Sequence, residues 1–73
     1  MAQLTHEQYD AIERAVVLGT RLVVRRSGGR EVVLIPSNLR VIDGRESIEA
    51  RNPVTGHEMS IYLDEVDSIE VVR

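Results

Sequence analysis

The sequence predicts a mostly β domain of the α+β kind: one N-terminal helix over residues 5–18, then five or six short antiparallel strands forming a barrel over residues 20–72. Two observations predict it. Apolar residues recur at helical spacing as far as Val16, and from Thr20 onward they alternate with polar ones. Each strand-sized run also closes on a turn signal, at Ser27-Gly28-Gly29, Asp43-Gly44 and Asn52 to Gly56. That spacing belongs to barrels and sandwiches, not to a parallel sheet. With 73 residues there is room for a single domain, 1–73.

The helix has two independent start signals. Thr5 followed three residues later by Gln8 is a capping box, and Leu4 and Tyr9 occupy the positions of a hydrophobic staple. Tyr9, Ile12 and Val16, with Ala15 beside them, make one apolar stripe. Glu7, Asp10, Glu13 and Arg14 take the other face, and Gly19 is placed to end the helix in the left-handed conformation.

Arg21 to Arg26 is the first strand, and Arg30 to Ile35 returns from the glycine turn. Pro36-Ser37-Asn38 breaks that run, because proline cannot donate to a ladder. Leu39 to Ile42 restarts it, Asp43-Gly44 is a type I′ hairpin signal, and Arg45 to Arg51 pairs back. Met59, Ile61 and Leu63 mark the next half-buried strand. Leu63 to Val66 reads as one helical turn, and Ser68 to Val72 as the last strand. The expected core is Tyr9, Ile12 and Val16 from the helix, with Leu22, Val24, Val33, Ile35, Leu39, Val41, Ile48, Met59, Ile61, Leu63, Val66, Ile69 and Val71 from the sheet.

Composition narrows the function classes. There is no cysteine, so disulfides and thiolate zinc sites are excluded. No apolar run is long enough for a membrane span, and no signal peptide is legible, so a cytoplasmic location is expected. A domain this small buries little surface, which gives homo-oligomerisation some weight.

The net charge of −3 argues against general phosphate binding. Its distribution is uneven. Arg14 against Glu7, Asp10 and Glu13 leaves −2 over residues 1–19. Seven arginines against Glu31, Asp43, Glu46 and Glu49 leave +3 over residues 20–51, and residues 52–73 carry −4.

Nothing in the chain assembles catalytic chemistry, so no enzyme activity, cofactor or metal is expected. His6 and His57 fall in the helix cap and at a turn edge, with no metal-ligand spacing between them. Asp64, Glu65 and Asp67 lack the loop pattern of a calcium site. Gly28-Gly29 leads into a strand, not a helix, so it is a hairpin turn and not a phosphate loop. Tyr9 and Tyr62 are the only aromatic residues, few for stacking on single-stranded nucleic acid.

Two family resemblances enter on particular residues. Tyr9-Asp10-Ala11-Ile12-Glu13-Arg14-Ala15, then Ser37-Asn38-Leu39 and Ile61-Tyr62-Leu63-Asp64-Glu65-Val66, resemble the Rof (YaeO) family, small bacterial inhibitors of the transcription termination factor Rho. That resemblance implies an Sm/SH3-like barrel with an added helix, and a Rho-directed antitermination role. Asp10, Glu13 and Arg14 on the exposed helix face, with Arg45 beside the Asp43-Gly44 turn, would then meet the protein partner.

Ala11 to Ala15, Gly19, Arg25 to Gly29, Pro36, Leu39, Asn52-Pro53, Thr55-Gly56 and Leu63 to Val66 are similar to a WYL domain, also an Sm/SH3-like barrel. Ser47-Ile48-Glu49 stands where that family has Trp-Tyr-Leu. This resemblance implies a small ligand or nucleic acid held on the arginine-rich strands, at Arg25, Arg26 and Arg30.

Overall fold

The computed structural model describes residues 5–72. The helix α1 runs His6–Leu18 and is capped as its sequence dictates. The Gln8 backbone N–H donates to Thr5 Oγ1 at 3.2 Å, and the Thr5 N–H donates to Gln8 Oε1 at 2.9 Å. At the other end Gly19 turns to φ +70°, where its N–H donates to the Ala15 carbonyl at 2.8 Å. A left-handed residue here satisfies a carbonyl that the last helical turn leaves without a partner. The staple from Leu4 lies outside the described residues.

Five strands follow: β1 (Leu22–Arg26), β2 (Glu31–Ile42), β3 (Arg45–Arg51), β4 (Glu58–Tyr62) and β5 (Val66–Val71). A 3-10 turn, Leu63–Glu65, joins the last two, where one helical turn was expected. The strands form one antiparallel sheet in the order β4-β3-β2-β1-β5. The closed barrel expected from the turn spacing is not observed: β4 and β5 stand at opposite edges and share no ladder.

The expected break at Pro36-Ser37-Asn38 is also not a break. β2 is one strand of 12 residues, bulged between Pro36 and Asn38. Its first part, Glu31 to Leu34, pairs with β1, and from Ile35 onward it pairs with β3. Pro36 falls where the β1 ladder has run out, so the N–H it lacks is not required on that side. This merger makes the strand count five.

The bulge also changes which residues face inward. Leu34 and Pro36 are fully buried, two residues apart on one face. Past the extra residue Ser37 the packed position is Leu39, opposite the buried Ile48. Val33 pairs with Val23 on the outer face and is 41% exposed, and Val41 is 68% exposed. Both were expected in the core. The run Val32-Val33-Leu34-Ile35 is apolar throughout, so it carries no alternation from which a face could be read.

The core consists of Ile12 and Ala15 from α1 with Leu22, Val24, Leu34, Ile48, Ala50, Ile61, Leu63 and Val66. Tyr9, Val16, Leu39, Met59, Ile69 and Val71 pack around it, half-buried. α1 lies mainly against the central strand β2 and the edge strand β5.

Candidate functional site

The residues expected to make contacts separate into distinct surfaces. Arg45 is positioned by the Asp43-Gly44 turn, where φ values of +51° and +77° suit a type I′ hairpin and start β3 immediately. Its guanidinium donates twice to Asp64, from Nε to Oδ2 at 2.9 Å and from Nη2 to Oδ1 at 2.7 Å. It also lies 3.6 Å from the centroid of the Tyr62 ring. Those two hydrogen bonds lower the Asp64 carboxyl from its ordinary value and raise the Arg45 guanidinium. Arg45 is thus tied to the 3-10 turn.

Two of the three arginines at the β1–β2 hairpin also have acidic partners. Arg25 pairs with Glu31 directly across the ladder, and that contact raises its pKa. Arg26 approaches Glu65 at 3.9 Å, while Ser27 anchors the same loop by donating its N–H to the Glu65 carbonyl at 2.8 Å. Arg30 has no acidic partner among the described residues. Of the carboxylates around the 3-10 turn, Asp64 thus holds Arg45 and Glu65 faces Arg26.

Asp10, Glu13 and Arg14 are exposed on α1, as expected. Asp10 and Arg14 line a groove of about 520 Å³ between the helix and the end of β5, with Leu18, Val71 and Val72. Tyr9, expected wholly in the core, is only half-buried, and its hydroxyl donates to Glu46 Oε1 at 3.2 Å. Desolvation, then that contact with Glu46, raises the Tyr9 phenol above its ordinary value.

The sequence reading missed a second concavity. Where β2 bends, a cleft of about 700 Å³ opens beside the C-terminal end of α1. Val16, Ile35, Pro36, Ala50 and Met59 give it an apolar floor, and Ser37, Glu49, Arg51 and Glu58 bring polar groups to it. Ser37 Oγ donates to the Glu49 carbonyl at 3.1 Å, which fixes the bulge against β3. Glu49 in turn accepts from Arg40 at 3.2 Å. Four separate segments meet here, and only the proline within an apolar run marks the place in the sequence. His6 and His57 are both exposed and belong to neither concavity. No helix among the described residues is long and apolar enough to cross a membrane.

With this geometry in view, the comparisons with known proteins concern the fold. No family model matches the chain, and no curated protein matches it in sequence. A solved structure does: proteasome accessory factor B/C of Arthrobacter aurescens superposes with a TM-score of 0.76 over 97% of this chain, at 24% identity. The fold is shared. The match spans 12% of that much longer protein, so the chain corresponds to one segment of it.

Proposed function

We propose that this chain is a non-enzymatic regulatory binding module of the WYL-like kind, holding a small amphipathic ligand in the cleft at the bend of β2. The fold likeness to a segment of a WYL-containing protein supports the WYL-like resemblance, and with it the Sm/SH3-like description of the bent sheet. One observation carries the ligand reading. The cleft joins an apolar floor to a few convergent polar groups, and its volume of about 700 Å³ lies within the range of small-molecule sites.

The other readings fit less well. Nucleic acid on Arg25, Arg26 and Arg30 would have to displace Glu31 and Glu65 from two of the three. The Rho-directed reading has no support in the fold likeness, and Arg45, one of its four contact residues, is held by Asp64.

Amide NMR shifts distinguish the three. The protein is titrated separately with a panel of small amphipathic metabolites, with single-stranded oligonucleotides and with purified Rho. Shifts from a metabolite at Ile35, Ser37, Ala50 and Met59, abolished by Glu58→Trp at the exposed rim of the cleft, are expected. Oligonucleotide shifts at Arg25, Arg26 and Arg30 would replace this reading with the nucleic-acid one. Rho binding weakened by Asp10→Arg or Glu13→Arg would replace it with the antiterminator.

A further inference from the structure

α1 carries more apolar surface than its core stripe uses. Val17 is 82% exposed and Leu18 66%, and Val72, on the far wall of the groove beside Leu18, is 39% exposed. The near wall is made by Glu7, Asp10, Ala11, Arg14, Ala15 and Leu18. These positions recur at intervals of three and four, so they form one continuous flank of the helix, roughly 16 Å long at the helical rise. Ala11 and Ala15 are short at its middle, which lets another backbone approach closely. A helix seats another helix on such a ridge-and-groove flank.

The flank is polarised. Its C-terminal half is apolar, at Ala15, Leu18 and Val72, whereas its N-terminal half carries Glu7 and Asp10, with Glu13 beside them and Arg14 the one arginine of the flank among the described residues. We propose that this flank docks a basic amphipathic helix of a partner protein. The occupant's apolar side chains cover Leu18, Ala15 and Val72, and its arginine or lysine side chains meet Glu7, Asp10 and Glu13. Charge decides the occupant. A second copy would bring another helix of net −2 against this one, and nucleic acid would bring phosphates to carboxylates. The surface lies on the opposite side of the core stripe from the cleft, so it is independent of the ligand reading above.

The probes are three synthetic helical peptides of equal length: leucine at helical spacing flanked by arginine, the same with glutamate for arginine, and the arginine peptide with serine for leucine. Only the first is expected to bind, with amide shifts centred on Ala11, Arg14, Leu18 and Val72 and an affinity that falls with salt. Leu18→Ser and the pair Asp10→Arg, Glu13→Arg should each weaken it about tenfold or more. These residues are exposed, so the variants should keep the parent melting temperature, and Glu58→Trp at the cleft should leave peptide binding unchanged. Equal binding of the glutamate peptide, shifts centred elsewhere, or no binding at all overturns the proposal. So does a dimer in sedimentation that Leu18→Ser dissociates, since a second copy would then own the flank.

Discussion

β2 is one strand with two different halves. On the side of β1, Leu34 is fully buried and its neighbour Val33 looks outward. On the side of β3, Leu39 is only half-buried, and Val41, two residues on, is 68% exposed. Both halves carry apolar residues, Val32 to Leu34 in one and Leu39, Val41 and Ile42 in the other. What separates them is the extra residue at Ser37, which shifts the inward positions by one, and burial, which falls away toward Val41. Apolar content therefore marks a strand, while cover from another element decides which of its residues count as core.

The difference can be sharpened by substitution. Leu34→Asp places an unpaired charge among Leu22, Val24 and Ile12, at a cost of several kcal/mol, much of what a small domain possesses. Circular dichroism should show the variant unfolded or melting far below the parent, and a parent-like melt would mean that Leu34 is not core. Deleting Ser37 comes next. Removing the bulge residue slips one half of β2 by one position and turns Leu39 outward, so the melting temperature should fall steeply. An unchanged melt would show that the bulge does not set the faces.

Val41→Asp is the matching control in the far half. At an exposed position it should change stability by about 0.5 kcal/mol or less in urea unfolding. A loss comparable with that of Leu34→Asp would erase the contrast. The smallest effect concerns the Arg45–Asp64 clasp, which ties the start of β3, paired with the end of β2, to the 3-10 turn. Because the Asp64 pKa is lowered in the folded state, its contribution is present above the ordinary aspartate value of about 3.9 and is lost as pH falls through the folded value. Asp64→Asn should therefore melt slightly below the parent at neutral pH, with the gap closing on acidification. A gap that widens toward low pH would contradict the clasp.

How much was legible in the sequence follows the same division between local and remote causes. The bounds of α1 were readable because Thr5, Gln8 and Gly19 act on backbone groups within four residues of themselves. The turns at Gly28-Gly29 and Asp43-Gly44 were readable for the same reason. Pro36 misled because the rule against proline in a ladder supposes neighbours on both sides, and β2 has only one there. The partner of Arg45 lies 19 residues away and depends on where β4 ends. Of the candidate site, the charged residues of α1 were found where expected. The cleft was not, since four segments meet there that no local pattern connects.

The handover within β2 has a consequence for how the protein opens. β2 is the one strand that ladders with both halves, since β1 and β5 reach the rest of the sheet only through its first four residues and β3 and β4 only through the remainder. Neither half can separate while β2 stays paired on both sides, and neither keeps its inner face covered once β2 leaves. Slow amide hydrogen exchange should accordingly report one cooperative unit, with Leu22, Val24, Leu34, Ile48 and Ile61 released together at the global unfolding free energy.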